Sequence, residues 1–284
     1  MFRDNALEQD LTLDGLHPTE ASRVFQELSE YLGQPIEQIA EEYWRYRRTE
    51  DVAAQAVVAV ATDAGPIMAY YQATPHYLYE LSYWEASRDK QAWFDVLARA
   101  CRQLGLQRVL DYGGGVGGSC LALRRRGIAC DYVDVQGKTF EYARWRFARH
   151  GVAPRMFNIL EGWPPVGYQA VTTWDVLEHV FDLDDTIRNF RRVLEPGGYV
   201  LSKSTFAEPD GGHLHIHLAK HKPYADVRRL NDLFGQHGFR FIGQLKPSRA
   251  SRLLRQVGVP HAVVGIAVRP KLKHGGNFLV HQAV

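Results

Sequence analysis

Residues 109–118 read Val109-Leu110-Asp111-Tyr112-Gly113-Gly114-Gly115-Val116-Gly117-Gly118. Two apolar residues and an acid precede five glycines within six positions, which is the pattern of a short strand that runs into a tight turn. Residues 119–127 follow with apolar positions at helical spacing, three arginines and a closing glycine, so they predict a helix. The unit is therefore strand, glycine turn and helix. It offers free backbone N–H groups and a positive helix end to a ligand.

Two ligand patterns overlap in this turn. Gly113, Gly115 and Gly118 satisfy G-x-G-x-x-G, which is typical of dinucleotide sites. Asp111 followed by glycines at 113, 115 and 117 satisfies a second pattern, in which an acid ends the strand. An acid there would repel a pyrophosphate, but it would suit a ligand with a cationic ammonium group. A glycine-rich connection without a ligand is the third interpretation.

Composition and charge narrow the class of protein. The chain has 284 residues, a hydrophobic content of 45% and a formal net charge of +2, which indicates a globular protein and is too weakly basic to suggest nucleic acid. The three cysteines, Cys101, Cys120 and Cys130, form no C-x-x-C pair and predict reduced thiols of a cytoplasmic protein. The apolar run at 57–61 is too short for a bilayer and the first residues lack a signal core, so we expect neither membrane span nor leader.

Residues 1–100 and residues 101–284 differ in pattern. The first hundred residues show helical spacing and a dense aromatic set between positions 70 and 84, so we predict a helical cap or lid. From residue 101 strands and helices alternate, which predicts an α/β domain with a mostly parallel sheet and helices on both faces. Residues 261–268 are predicted as the last strand, and residues 271–284 have no predicted place.

Three motifs resemble class I S-adenosylmethionine-dependent methyltransferases of the small-molecule, ubiquinone-biosynthesis-like branch. They are the turn D-x-G-x-G-x-G that begins at Asp111, the run D-V-L-E-H-V at residues 175–180, and E-P-G-G at residues 195–198. The resemblance implies a Rossmann-like sheet of seven strands with an antiparallel final strand. It also implies that S-adenosyl-L-methionine is the cofactor.

The resemblance also assigns site residues. Asp134 ends the second strand, about 20 residues beyond the turn, where an acid can accept both ribose hydroxyls or cap the next helix. Asn158 and Glu161 are candidates for the adenine amino group, and Glu178 and His179 are expected to brace the loop after the fourth strand. The residues assigned to the cofactor are Asp111, Tyr112, Gly113, Gly115, Gly117, Asp134, Val135, Glu161, Trp174 and Asp175.

Three histidines alternate in the segment at residues 210–221. His213, His215 and His217 would share one face of an extended chain. A zinc site is one interpretation, but no matching cysteine or acidic pair accompanies them, and we predict no metal. We assign them as candidate catalytic groups, because a histidine can accept a proton near neutral pH as the methyl group moves. We expect the acceptor pocket to be lined by at least one of Tyr70, Tyr71, His213, His215 and His217.

These features predict methyl transfer from S-adenosylmethionine to a small-molecule acceptor in a biosynthetic pathway. Whether oxygen, nitrogen or carbon receives the methyl group stays open. A protein or RNA methyltransferase is an alternative, without support from an N-P-P-Y or Pro-Cys signature or from a basic stripe with aromatic residues. A non-catalytic cofactor-binding partner subunit is a further alternative. The expected partner is a small molecule and not nucleic acid, and a homodimer stays open.

Overall fold

A computed structural model describes residues 18–206, 218–247, 264–267 and 278–284. The described chain begins with the helices α1 (Pro18–Leu32), α2 (Ile36–Val60), α3 (Gly65–Ala73), α4 (His76–Ala86) and α5 (Arg88–Gln103). Alternating elements follow: β1 (Arg108–Tyr112), α6 (Gly118–Arg124), β2 (Ala129–Asp134), α7 (Lys138–Arg149), β3 (Met156–Asn158), β4 (Tyr168–Trp174), α8 (Leu183–Val193), β5 (Leu194–Lys203), α9 (Val227–Gln236), β6 (Phe239–Pro247), β7 (Val264–Ala267) and β8 (Phe278–Ala283). Short 3-10 turns cover Ile159–Glu161 and Ala219–Ala225.

The strands form one sheet in the order β3-β2-β1-β4-β5-β8-β6-β7. Strands β1 to β5 run parallel to one another, whereas β8 lies antiparallel between β5 and β6. The predicted Rossmann-like α/β fold is thereby confirmed. Because parallel strands end at the same edge, the residues that follow β1, β2 and β4 meet at the carboxyl edge of the sheet, where such sheets bind ligands.

Both faces of the sheet are buried, and the alternation along β1 separates them. Val109 belongs to a core cluster with Leu97 of α5 and Leu121 of α6. The next residue, Leu110, belongs to a second cluster that contains Ile187 of α8. Side chains alternate along a strand, so Asp111 shares the face of Val109 and α6, and Tyr112 shares the opposite face.

The prediction of residues 261–268 as the last strand is wrong. The last strand is β8, which lies in the part of the chain to which the sequence assigned no place, and it pairs with both β5 and β6. Residues Val264–Ala267 form the short strand β7, which pairs with β6 at the edge. The described residues form eight strands in place of the predicted seven: β7 lies within the segment predicted as the last strand, and β8 is the strand that the sequence analysis did not predict.

The sequence pattern did not predict β8, because this strand is buried on both faces. Phe278 and Val280 belong to one core cluster and Leu279 belongs to the other. A strand of this kind has no alternation of apolar and polar residues, and His281 interrupts its apolar run. The β-branched residues near position 264 therefore gave the stronger strand signal.

The predictions from composition have direct structural counterparts. The three cysteines are buried and none forms a disulfide, as expected for reduced thiols. Within the described ranges, no helix combines the length and the apolar composition needed to cross a membrane.

Candidate functional site

The turn between β1 and α6 has a backbone that favours glycine. Gly113, Gly115 and Gly117 have φ angles of +71°, +53° and +83°. Side chains would also collide here, because a Cβ atom on Gly113 would overlap Val176 and one on Gly115 would lie 2.8 Å from Leu81 Cδ1. The turn is therefore a stretch of backbone without side chains at the carboxyl edge, on which the loop after β4 and helix α4 pack closely.

Asp111 is a buried acid next to this turn. The residue is 3% exposed, and its Oδ2 atom has no hydrogen-bond partner among the described residues. Burial raises the pKa of Asp111 to about 7, the charge of Asp134 adds to this shift, and Lys90 of α5 opposes it. A buried carboxylate oxygen without a partner is costly, so this atom fits a cationic hydrogen-bond donor such as an ammonium group.

Asp134 at the end of β2 holds the glycine turn in place. Its Oδ2 atom accepts a hydrogen bond from Gly115 N at 2.6 Å, and its Oδ1 atom accepts one from Val135 N at 2.7 Å. The Tyr132 hydroxyl donates to the carbonyl oxygen of Gly115 at 2.6 Å. Helix α7 begins after Gly137 without a side-chain cap, so the alternative interpretation of Asp134 as a helix cap is wrong. Burial raises the pKa of Asp134 to about 6.

The end of β3 carries a small polar cluster beside Asp134, with which Asn158 is paired in register. Asn158 Oδ1 accepts from Gln136 N at 3.2 Å, and Asn158 Nδ2 donates to Glu161 Oε1 at 3.1 Å. Glu161 is exposed and ends the 3-10 turn. The two candidates for adenine binding therefore lie together, next to the proposed ribose position.

Two of the residues assigned to the cofactor direct their side chains into the protein core. The Tyr112 ring stacks on Trp163 with 5.1 Å between ring centroids, on the face opposite Asp111. The Trp174 ring packs edge-on against Phe94 at 5.6 Å. Because neighbouring strand residues point to opposite faces, the Tyr112 ring lies on the other side of the sheet from Asp111. The cofactor roles of Tyr112 and Trp174 stay predictions.

Asp175, directly after β4, is the only non-glycine residue with a positive φ angle in the described chain, at +54°. Its carboxylate lies 3.4 Å from Lys90 Nζ and 3.7 Å from Lys203 Nζ. Lys90 also lies 3.6 Å from the centroid of the Trp174 ring. The two lysines come from α5 and the end of β5, and the sequence analysis missed them because neither belongs to a motif.

Helices α3 and α4, with their aromatic residues, cover the carboxyl edge. A Cβ atom on Gly137 would lie 2.8 Å from Gln72 Cα and 3.1 Å from Tyr71 O, so the end of α3 contacts the start of α7. Burial raises the pKa of the Tyr71 phenol, and the charges of Glu178 and Asp134 act in the same direction. The Tyr71 side chain therefore lies within electrostatic reach of both acids, and Tyr70 packs against it at 6.0 Å between ring centroids.

A fully buried arginine connects the N-terminal helices to the glycine turn. Arg146 of α7 is 0% exposed and contacts Glu27 of α1 at 2.8 Å and Glu85 of α4 at 2.7 Å. It also donates to the carbonyl oxygen of Val116 at 2.6 Å. The sequence analysis missed this network, because its members are 61 and 119 residues apart and look like ordinary charged helix residues.

The three candidate histidines, His213, His215 and His217, lie outside the described residues. Their assignment as catalytic groups therefore stays a prediction. Within the described ranges, no group of three or more histidine, cysteine, aspartate or glutamate residues is arranged to hold a metal ion.

Comparison with known proteins identifies the family of this chain. The sequence model described as a methyltransferase domain matches residues 83–244, more than half of the chain. The chain belongs to this methyltransferase-domain family. The match includes the glycine turn and all of β1 to β5. It confirms the resemblance derived from the motifs and, with it, S-adenosylmethionine as the cofactor of this domain.

Individual relatives of the methyltransferase domain agree with this assignment. The ubiquinone biosynthesis O-methyltransferase of Pseudomonas aeruginosa is 27% identical over 173 residues, which is 59% of this chain and 71% of that protein. The demethylmenaquinone methyltransferase of Tropheryma whipplei is 30% identical over 103 residues, 35% of this chain and 43% of that protein. The hybrid PKS-NRPS synthetase mpsA of Macrophomina phaseolina is 36% identical over 110 residues, 34% of this chain. The chain spans only 3% of that synthetase and less than half of the Tropheryma whipplei enzyme.

A solved structure supports the fold of the methyltransferase domain. The mitomycin 7-O-methyltransferase MmcR aligns over 99% of this chain and 76% of its own chain, with a TM-score of 0.53 and 17% identity. At this identity the likeness concerns the fold alone. The residues described above fit the cofactor on their own geometry, because the unpartnered Asp111 oxygen suits its ammonium group.

Substitution of Asp134 by alanine is expected to weaken the binding of S-adenosylhomocysteine by about 1.5–3 kcal/mol, the range for losing hydrogen bonds to a charged group. The matched control is Asp131→Asn, three residues earlier on β2, because the Asp131 carboxylate pairs with Arg155 at 2.6 Å. Calorimetric titration should show the loss in Asp134→Ala and wild-type affinity in the control. An unchanged dissociation constant in Asp134→Ala would remove the ribose assignment.

Binding of S-adenosylhomocysteine is also expected to tighten as the pH rises toward 7. Asp111 must be ionised to pair with the ammonium group, and its pKa is raised to about 7, so each pH unit below this value costs up to a factor of about ten. Because the folded protein without ligand holds the Asp111 proton more tightly than the unfolded chain does, protonated Asp111 stabilises the folded state. This contribution to the free energy of unfolding is fully present below about pH 4 and is lost as the pH rises through about 7. Calorimetric titrations between about pH 5 and pH 8 should show this change in the dissociation constant. In Asp111→Asn the change near pH 7 should be absent, and a wild-type dissociation constant that does not vary with pH would contradict the assignment.

Proposed function

We propose that this chain transfers the methyl group of S-adenosylmethionine to a small-molecule acceptor. The observation that carries the proposal is the carboxyl edge of a methyltransferase domain on which a buried, unpartnered Asp111 oxygen adjoins a glycine turn braced by Asp134. An acid at the end of β1 suits an ammonium group, which a pyrophosphate-containing dinucleotide lacks at that position. This favours S-adenosylmethionine over a nicotinamide cofactor.

Each end of the cofactor has a proposed partner in this chain. Asp111 would hold the ammonium group, and the N–H groups of the turn would lie along the methionine part. Asp134 would accept the ribose hydroxyls through the lone pairs that its bonds to Gly115 and Val135 leave open. Asn158 and Glu161 would lie near the adenine edge. This order follows the carboxyl ends of the neighbouring strands β1, β2 and β3.

The reaction itself needs alignment more than covalent chemistry. When bound, S-adenosylmethionine supplies an electrophilic methyl group on a sulfonium. The chain has to hold an acceptor atom behind that methyl group and exclude water, and alignment of this kind can contribute on the order of 7 kcal/mol to lowering the barrier. The predicted cap spans residues 1–100, and its helices α1 to α4 are proposed to close this space. Tyr71, close to Glu178 and Asp134, is the best-placed aromatic residue for the acceptor pocket.

The class of acceptor and the cellular location are inferred from three features. Two relatives are named ubiquinone biosynthesis O-methyltransferase and demethylmenaquinone methyltransferase, which supports a small molecule in a biosynthetic pathway. The net charge of +2 gives no reason to expect nucleic acid. The three free, buried cysteines favour the cytoplasm. A homodimer stays open.

Titration with three ligands tests the proposal. Calorimetry should show binding of S-adenosylhomocysteine, and binding of S-adenosylmethionine, with no heat from NAD under the same conditions. Binding of NAD without binding of S-adenosylhomocysteine would overturn the proposed function.

A further inference from the structure

Glu178 lies in the loop that follows β4 and covers the glycine turn. Val176, two residues earlier, occupies the space that a side chain on Gly113 would need, so this loop lies directly over the turn. Glu178 is nevertheless only 2% exposed. A glutamate is rarely this buried without partners for both of its oxygens.

The two carboxylate oxygens of Glu178 differ in their bonding. Oε1 accepts a hydrogen bond from Thr205 N at 2.8 Å, which ties the loop after β4 to the segment after β5. This contact agrees with the bracing role expected from the sequence. Oε2 is also inaccessible to solvent and makes no hydrogen bond of ordinary geometry in the described ranges, although the Ser204 hydroxyl lies close enough to lower the pKa of this acid. Bracing therefore accounts for half of the carboxyl group and leaves the other half without a role.

The groups around Glu178 come from four elements. Tyr71 of α3 lies within electrostatic reach, and Asp175 belongs to the same loop. Asp175 is itself paired with Lys90 of α5 and Lys203 of β5, so these two lysines have an anionic partner other than Glu178. His179, the next residue, lies close enough to Asp175 to lower the pKa of that acid. Among the described residues, no cation forms an ion pair with Glu178.

The pKa of Glu178 lies close to neutral pH. Burial raises the pKa of Glu178 to about 8, the charge of Asp175 adds to the shift, and the bond from Thr205 N and the Ser204 hydroxyl oppose it. A carboxyl group in this state can exchange a proton with a neighbouring atom in a water-poor site.

We propose that Glu178 lies beside the methyl-bearing end of the bound cofactor and accepts the proton of the acceptor atom that is methylated. The acceptor is then a compound whose nucleophilic oxygen or nitrogen carries a proton. Its O–H or N–H bond breaks and the proton moves to Glu178, while the electron pair of that atom forms the bond to the methyl carbon. The carbon–sulfur bond breaks, and its electron pair stays on sulfur. This assignment rests on the proposed function.

The test compares two ligands and needs no acceptor. S-adenosylmethionine and S-adenosylhomocysteine differ by the methyl group and the positive charge on sulfur, and a nearby positive charge favours the ionised form of a carboxyl group. At pH 7.5 the first ligand should therefore release about half a proton more than the second, as measured by calorimetry in two buffers of different ionisation enthalpy. The difference should vanish in Glu178→Gln and persist in Glu195→Gln, which alters an exposed glutamate at the start of β5.

Each outcome separates this inference from the proposed function. If neither ligand binds, the proposed function fails and this inference fails with it. If both bind with equal proton release in the wild type, cofactor binding stands and Glu178 does not lie beside the methyl group. A difference that survives in Glu178→Gln belongs to another group, such as one of the three histidines, and also overturns the assignment. If Glu178→Gln does not fold, Glu178→Asp replaces it, because the shorter side chain places the carboxyl group farther from the methyl group. The difference in proton release between the two ligands should then decrease, and an unchanged difference contradicts the proposal.

Discussion

Replacing Arg146 with methionine is expected to lower the free energy of unfolding by about 3–5 kcal/mol, because it leaves the buried carboxylates of Glu27 and Glu85 with only the partly exposed Arg23 as a cation. Arg146 is fully buried, and the side chains of Glu27 and Glu85 are 1% and 4% exposed. Burial alone would raise the pKa of Glu27, but Arg146 and Arg23 outweigh it and lower the value to about 2. Both glutamates therefore stay charged at neutral pH and depend on the guanidinium group.

The neighbouring Arg149 is a matched control for this prediction. It pairs with Glu30 across the same two helices at 2.8 Å, but the two side chains are 36% and 53% exposed. Its substitution by methionine should cost no more than about 1 kcal/mol, as for other surface pairs. Urea denaturation measures both variants. Equal and small losses would mean that the network does not hold the N-terminal helices on the domain. The combined variant Arg146→Met with Glu85→Gln should recover part of the loss, since it removes one of the unpaired charges.

Substitution of Gly113 by alanine is expected to lower the free energy of unfolding by about 2–5 kcal/mol, from the left-handed backbone and from the overlap with Val176. The φ angle of Gly113 is +71°, and the new methyl group would occupy the position of the Val176 side chain. The displaced loop after β4 should also reduce affinity for S-adenosylhomocysteine. Thermal or urea unfolding and calorimetry measure the two effects.

Gly127 is a control that separates the cost of the left-handed backbone from the cost of the overlap with Val176. It has a similar φ angle of +78°, but a Cβ atom there would meet nothing within 4 Å. Gly127→Ala should therefore cost only the backbone part, about 1–2 kcal/mol, and should leave ligand affinity unchanged. Combining Gly113→Ala with Val176→Ala should recover the overlap part. If Gly113→Ala and Gly127→Ala lose the same stability and bind ligand equally well, the loop after β4 does not pack on the turn as described.

The sequence predicted the parts of the site that lie within one strand–turn–helix unit and the strand after it. Asp111, the glycine turn and Asp134 fall within 24 consecutive positions, and their spacing is set by local geometry. The sequence could not predict Lys90 or the partners of Arg146, because charged residues on helices carry no sign of a contact that is 61 or more residues away. Burial decides their role, and burial depends on packing between elements.

The direction of individual side chains was a second limit. Tyr112 was assigned to the site from its place beside Asp111, yet strand alternation sends its ring to the opposite core. Glu178 shows the reverse: its motif predicted a bracing residue, and the bond to Thr205 confirms that role for one oxygen only. The state of the other oxygen follows from burial, which no motif encodes.

A crystal structure of the protein with S-adenosylhomocysteine tests the central claim most directly. The account predicts the ligand at the carboxyl edge of the sheet, with its amino group within hydrogen-bonding distance of Asp111 and its ribose hydroxyls on Asp134. Its sulfur should face the loop that carries Glu178. A ligand bound away from the glycine turn, or one whose amino group and ribose contact neither acid, would contradict the account.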